Sequence, residues 1–218
     1  MDNFFHIFND FSFADDLFLE KCRHFYSLLL EENSHTNLTR ITKEKEFFIK
    51  HVYDSLLIFK FKPELISSNK IKIADLGCGA GFPAIILAMV LPQTEITAID
   101  SIAKKTNFVK KTAENLQLEN LNVLTGRGRE LAVKPEFTAT YDIITARAVA
   151  EINKLYREIK RMLKPGAEMI FYKTPEAAQK EISSLNKLSS KLNWSISDTI
   201  LLPEDMGERC FVTAVQSP

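Results

Sequence analysis

The stretch DLGCGAGFP, residues 75–83, decides how this chain folds. It follows an apolar run at residues 71–76 that predicts a buried β-strand, and it opens an apolar segment with helical periodicity. Glycine lets the backbone turn tightly and lets a ligand approach it closely. Pro83 suits the first turn of a helix, where its missing N–H costs no hydrogen bond. The stretch therefore predicts a strand–loop–helix unit with a ligand at the carboxyl end of the strand.

Downstream of this loop the chain alternates short apolar runs with helical patterns. Predicted strands lie at residues 71–76, 95–99, 122–124, 141–145, 168–172, 195–201 and 210–215. Helical patterns follow the first, second, fourth and fifth strands, which is typical of a mostly parallel, doubly wound α/β sheet. The last link, residues 202–209, is too short for a crossover helix, so the last two strands should pair antiparallel. These patterns predict a seven-stranded, mostly parallel sheet with one antiparallel strand.

The first 66 residues show helical patterns of apolar residues and no strand patterns. Apolar residues recur at helical spacing in two segments, one ending near residues 33–34 and one spanning residues 43–61. The apolar face of the first comprises Phe18, Cys22, Phe25 and Leu29, and that of the second comprises Phe48, Val52, Leu56 and Phe59. We therefore expect an N-terminal helical cap, residues 1–66, on a core formed by residues 67–218.

The spacing of the loop glycines separates two nucleotide cofactors. A dinucleotide fingerprint, G-x-G-x-x-G, that starts at Gly77 would place its third glycine at position 82, which is Phe82. The spacing present is G-x-G-x-G with Asp75 two positions earlier, which resembles the loop that binds S-adenosylmethionine. Asp100 ends the second predicted strand, where a carboxylate can accept hydrogen bonds from ribose hydroxyls. A glycine-rich turn without a ligand is the alternative.

Composition indicates the cellular compartment of the protein but does not identify its reaction. Equal numbers of acidic and basic residues give a net charge of zero, so any nucleic-acid surface must be a local patch. The cysteines, Cys22, Cys78 and Cys210, are odd in number and far apart, which argues against a disulfide framework and a zinc cluster. No signal peptide or bilayer-spanning apolar run is evident. We expect a cytoplasmic protein without a metal.

Several segments together resemble one family. They are residues 75–83, Asp100-Ser101 with Lys104-Lys105 and Phe108, residues 118–121 with Arg127, residues 146–150, residues 37–39, and residues 51–55. In this order and spacing they resemble the RsmG (GidB) family, bacterial methyltransferases that modify a guanine at N7 in 16S ribosomal RNA. The resemblance covers about residues 26–215 and implies a class I, Rossmann-like fold that uses S-adenosylmethionine.

The resemblance also implies a set of cofactor-binding residues. They are Gly77, Gly79, Gly81, Phe82, Asp100, Gly128, Arg129 and Arg147. The chain departs from the family pattern at Cys78, Ala84 and Thr174. It departs again at Arg129, where the family usually has an acidic residue.

The residues of the chain are compatible with guanine N7, the acceptor that the resemblance implies. A cytosine C5 methylase needs a nucleophilic cysteine after a proline at a strand end, and none is present. Exocyclic-amine methylases carry an Asp/Asn-Pro-Pro-aromatic turn where this chain reads Thr145-Ala-Arg147. Guanine N7 has a free lone pair and needs no general base. Arg147, at the mouth of the predicted cleft, is the candidate catalytic residue, positioned to contact the cofactor, guanine O6 or a phosphate, and a surface ion pair with Glu151 is the alternative.

Basic residues near the predicted strand ends are candidates for phosphate contacts. The RNA-binding candidates are Lys104, Lys105, Arg127, Lys173 and Arg209. We expect 16S ribosomal RNA or the small ribosomal subunit as partner and a monomeric protein. Two other functions stay open: a methyltransferase for another substrate, and a non-catalytic module that binds RNA or a nucleotide. His51 is expected to brace the helical cap against the sheet.

Overall fold

The computed structural model describes residues 4–148, 151–188 and 192–216. Its centre is one eight-stranded sheet with the order β3-β2-β1-β4-β5-β8-β6, and β7 also pairs with β8. The strands are β1 (Lys72–Leu76), β2 (Glu95–Asp100), β3 (Leu121–Thr125), β4 (Tyr141–Arg147), β5 (Leu163–Lys173), β6 (Ser195–Ile196), β7 (Ile200–Leu201) and β8 (Glu208–Val215).

Helices cover both faces of this sheet. The α-helices are α1 (Asp16–Thr36), α2 (Glu44–Phe47), α3 (Asp54–Phe61), α4 (Ala84–Val90), α5 (Ala103–Asn115), α6 (Gly128–Leu131), α7 (Ile152–Ile159) and α8 (Pro175–Leu185). A π-helical segment, Phe48–Tyr53, joins α2 to α3, so the predicted second helical stretch is continuous but not uniform. Among the helices of the described ranges, none is long and apolar enough to cross a membrane.

The register of the parallel strands brings their carboxyl ends to one edge. Leu76 pairs with Ala146, Asp100 pairs with Thr125, and Arg147 pairs with Tyr172. The sheet thus places the loop after β1 beside the ends of β2 and β4. In an open α/β sheet this is the edge where ligands bind.

The antiparallel pairing of the last strands is confirmed, but one strand prediction was wrong. β8 runs antiparallel to β5 and to β6. Residues 195–201 form two short strands instead of one, which is why the sheet has eight strands and not seven. Ser197 causes the break: its backbone N donates to the Phe211 carbonyl, and its Oγ accepts from the Phe211 N–H, both at 2.9 Å. The serine side chain therefore replaces the backbone partner that a continuing strand would supply.

The N-terminal helices pack on the same core as the sheet. Both predicted apolar faces are buried, and Phe25 of α1 stacks on Phe82 of the glycine loop with ring centroids 4.9 Å apart. Helix α1 begins with the Asp15 carboxylate accepting from Phe18 N at 2.8 Å. It ends past the predicted residues 33–34, at Thr36, where Asn37 adopts a left-handed conformation (φ 52°).

Candidate functional site

The three loop glycines adopt backbone conformations that other residues rarely take. Gly77, Gly79 and Gly81 have φ values of 70°, 58° and 99°. The backbone N–H of Gly77 donates to the Ile99 carbonyl at 2.7 Å, which ties the loop to the end of β2. A Cβ on Gly81 would lie 2.3 Å from Cδ1 of Ile85, so this glycine also permits the close packing of α4. The loop is therefore held rigidly at the edge of the sheet.

Asp75 stabilises the start of α4 and does not line the clefts beside the loop. It is fully buried, and its Oδ2 accepts from Ala84 N at 3.2 Å. Thr145 lies 3.4 Å from Oδ1 through its hydroxyl. Burial raises the pKa of Asp75 to about 7, and the Ala84 hydrogen bond opposes this shift. The Asp75 carboxyl group thus links the end of β1 to the first residue of α4, on the two sides of the loop.

Asp100 holds the other side of the loop. Its Oδ2 accepts from Gly79 N at 3.0 Å and its Oδ1 accepts from Ile102 N at 2.9 Å. A cleft of about 310 Å³ opens beside it, between Gly77 and Gly128. Gly128 admits no side chain, because a Cβ there would lie 2.9 Å from Cγ2 of Ile159.

Two predicted residues next to this cleft have different placements. Arg127 lines it, whereas Arg129 points to solvent and does not line it. Arg129 is the second residue of α6, which begins at Gly128. The role of Arg129 in binding the cofactor stays a prediction.

A second cleft of about 180 Å³ lies on the other side of the loop. Gly77 borders both clefts, and Gly79, Phe82, Lys105 and Arg147 line the second one. The pair of clefts therefore offers a glycine backbone that a ligand can approach closely, the Asp100 carboxylate on one side and the cations Lys105 and Arg147 on the other. These groups fit S-adenosylmethionine, whose nucleoside has hydroxyls for Asp100 and whose amino-acid part has a carboxylate for Lys105 and Arg147.

Phe82 and His51 form an aromatic wall under Arg147. The two rings are stacked with centroids 4.4 Å apart, and the guanidinium lies 5.3 Å from the Phe82 centroid. Arg147 Nη2 donates to His51 Nδ1 at 3.1 Å, since arginine has only donors. His51 Nε2 then carries the proton and donates to Thr39 Oγ1 at 3.2 Å. Burial, reinforced by Arg147, lowers the pKa of His51 to about 3 and keeps the ring neutral.

Asp54 joins two arginines from distant parts of the sheet. Its Oδ2 accepts from Arg147 Nη1 at 3.0 Å, and Arg209 donates from Nε at 2.6 Å and from Nη2 at 2.9 Å. Asp54 is buried, and the alternative of a surface ion pair between Arg147 and Glu151 is wrong. Glu151 pairs with Lys154 instead. Helix α3 of the cap is therefore bonded to the ends of β4 and β8.

A third cleft, of about 540 Å³, lies beyond Arg147. Its charged lining residues are Lys50, Asp54, Arg147, Lys173 and Arg209. Lys173 donates to Glu181 Oε1 at 2.6 Å, and Lys50 donates to Glu46 at 3.4 Å. His51 and Arg147 border both this cleft and the second one. We call the third cleft the basic cleft.

The remaining predicted RNA-binding lysines lie near the second cleft. Lys105 Nζ is 3.7 Å from Asp100, and Lys104 donates to the Thr36 carbonyl at 2.8 Å, at the end of α1. Lys104 therefore also contacts the C-terminus of a long helix, where a cation is favourable. The roles of both lysines in RNA binding stay predictions.

The role of Asp54 as the shared acceptor of Arg147 and Arg209 was not predicted from the sequence. His51 was expected to brace the cap against the sheet, and its segment, residues 51–55, does so: Tyr172 donates to the Ser55 carbonyl at 2.9 Å. The spacing of His51 and Asp54, one helical turn apart, was the available signal. It places both side chains against Arg147.

The strand order, the glycine loop and the strand-ending Asp100 define a class I, S-adenosylmethionine-dependent methyltransferase. A solved S-adenosylmethionine-dependent methyltransferase from Aquifex aeolicus has this fold, with a TM-score of 0.62 at 18% identity over 83% of this chain and 97% of that one.

The family model of GidB, rRNA small subunit methyltransferase G, matches residues 18–199. Ribosomal RNA small subunit methyltransferase G of Streptococcus sanguinis is 36% identical over 88% of this chain and 80% of its own length. The protein of that name from Staphylococcus saprophyticus is 37% identical over 85% and 76%, respectively. This chain belongs to the GidB family, which confirms the resemblance stated from its motifs.

Proposed function

We propose that this protein transfers a methyl group from S-adenosylmethionine to N7 of a guanine in 16S ribosomal RNA. The observation that carries the proposal is the meeting of the glycine loop and the basic cleft at Arg147. One side of that residue offers the groups that suit S-adenosylmethionine, and the other offers cations for a nucleic acid. Membership of the GidB family, rRNA small subunit methyltransferase G, supports 16S ribosomal RNA as that nucleic acid.

The residues of the chain act by positioning. S-adenosylmethionine supplies an electrophilic methyl group on its sulfonium. Gly77 and Gly79 give backbone access, Asp100 is suited to the ribose hydroxyls, and Phe82 closes the second cleft. Gly128 borders the nucleoside side, where a Cβ would collide with Ile159.

Arg147 cannot act as a base, because a guanidinium stays protonated. Guanine N7 needs no base, since its lone pair is free for an in-line attack. What the site must supply is alignment of donor and acceptor. The fixed orientation of Arg147, with hydrogen bonds to three separate partners, suits that task.

Lys104, Lys105, Arg127, Lys173 and Arg209 are proposed to contact the RNA. Four of them line the three clefts, and Lys104 precedes Lys105 in α5. We further propose a cytoplasmic monomer without a metal, in which residues 1–66 form a cap and residues 67–218 the methyltransferase core.

The test is to delete the gene and map N7-methylated guanines in the ribosomal RNA by mass spectrometry. One methylated guanine of 16S RNA should be lost in the deletion strain and restored by the wild-type gene. Restoration with an Asp100→Ala variant should fail and serves as the control for catalysis. An unchanged methylation pattern after deletion would contradict the proposal.

A further inference from the structure

The basic cleft contains more positive charge than its acidic groups neutralise. Each of its lysines has its own carboxylate, Glu46 for Lys50 and Glu181 for Lys173. The two arginines share a single carboxylate, Asp54. Two positive charges and one negative charge leave this cluster with a net charge of +1.

The surplus charge is largely withdrawn from water. The side chains of Arg147 and Arg209 are 10% and 18% exposed, and Asp54 is 1% exposed. A partly buried cation without a counter-ion is unfavourable. Within the described residues, Nη1 of Arg209 donates no hydrogen bond, so one edge of this guanidinium remains available to an anion in the cleft.

The position of the cleft limits which anion is suitable. It lies at the ends of β4, β5 and β8, whereas the two clefts suited to S-adenosylmethionine flank the loop after β1. Arg147 and His51 separate the basic cleft from the nearer of these two. An anion held there would belong to the molecule that receives the methyl group.

We propose that the basic cleft binds a phosphodiester of the RNA strand that carries the acceptor guanine, through Arg209 and Arg147. The inference rests on the proposed function and adds to it the place where the RNA backbone docks. Arginine is suited to this task, because its planar guanidinium binds two phosphate oxygens at once. Ile41, Leu202 and Met206 supply an apolar wall beside these charges.

Thr174 allows a test that leaves the arginines unchanged. It is exposed, lines the basic cleft and caps α8 by accepting from Ala177 N at 3.3 Å. Asp and Asn are both good N-cap residues, so Thr174→Asp and Thr174→Asn should keep α8 intact. The two variants differ only in a negative charge placed in the cleft.

Methyl transfer to small ribosomal subunits from the deletion strain is measured for both variants and the wild type. We expect Thr174→Asp to raise KM for the subunits about tenfold, because a like charge repels a phosphate. Thr174→Asn should stay within about twofold of the wild type. The slope of log KM against log salt should be smaller for Thr174→Asp by about 0.7–0.9, the value for one lost phosphate contact. The Kd for S-adenosylmethionine, from calorimetry, should be the same in both variants.

Equal KM values for Thr174→Asp and Thr174→Asn would overturn the inference. Binding of inorganic phosphate to the wild type, combined with such equal values, would assign the cleft to a free phosphate instead. Absence of methyl transfer by the wild type would refute the proposed function itself, a result distinct from any difference between the two variants.

Discussion

Asp54→Asn tests whether one buried carboxylate holds the site together. The substitution keeps the shape of the side chain but removes the charge shared by Arg147 and Arg209. Two unit charges about 4 Å apart attract by about 4 kcal/mol at an effective dielectric constant of about 20. Removing one partner of a buried pair costs about 3–5 kcal/mol, since the other charge stays behind.

The arginines are partly exposed, at 10% and 18%, so we expect the lower end of that range, about 3 kcal/mol. For a chain of this size 1 kcal/mol corresponds to about 2–4 °C, which predicts a Tm lower by about 6–12 °C. Differential scanning calorimetry measures the shift. Glu176→Gln is the matched control, because it removes a fully exposed ion pair with Lys180 and should leave Tm unchanged.

A double-mutant cycle isolates the interaction itself. Arg209→Gln alone leaves Asp54 with Arg147, and Asp54→Asn in that background leaves only one arginine unpaired. The loss from Asp54→Asn should therefore be smaller in the Arg209→Gln background, by about 1–2 kcal/mol. An Asp54→Asn protein with the Tm of the wild type would refute the reasoning, and additive losses would exclude coupling through Arg209.

Three other predictions test the loop, the aromatic wall and the lysines. The Tm of Gly81→Ala should be lower than that of Gly166→Ala, because both glycines have positive φ (99° and 78°) but of the two only Gly81 would place a Cβ against a side chain. Of these two variants, calorimetry should show loss of S-adenosylmethionine binding only in Gly81→Ala. The pKa of His51 is 6.5 in the unfolded chain and about 3 in the folded protein, so the unfolded chain binds the extra proton and the free energy of unfolding should fall by up to about 1.4 kcal/mol per pH unit below 6.5. Urea denaturation at two pH values should show a smaller dependence on pH for His51→Gln, and an equal dependence would contradict this prediction. Lys104→Ala with Lys105→Ala should weaken RNA binding and spare the Kd for S-adenosylmethionine, and normal RNA binding by the double variant would exclude this patch.

Local patterns were enough to predict the cofactor half of the site. The strand, the alternating glycines and Asp100 lie within about 30 residues of one another, and each follows from a rule that applies to a short segment. The parallel register then follows from the alternation of strands and helices. For this reason the loop and Asp100 come together as expected.

The arginine cluster could not be predicted in the same way. Asp54 is 93 residues from Arg147 and 155 residues from Arg209. Their contact depends on how the cap docks, which no local pattern encodes. Glu151 is an acidic residue close to Arg147 along the chain, but it stands at the start of α7 and pairs with Lys154 of that helix. Proximity along the chain was the wrong guide.

The structure also argues against regarding the cap as a mere addition to the core. Phe82, a residue of the glycine loop, is stacked between Phe25 of α1 and His51, both from the cap. Arg147 receives three of its hydrogen-bond partners, the Lys50 carbonyl, His51 and Asp54, from the same segment. A core without the cap would expose an aromatic ring in the loop and leave both arginines without their carboxylate. Cofactor loop and basic cleft therefore depend on one set of cap residues, and a perturbation of that set should impair binding of cofactor and RNA together.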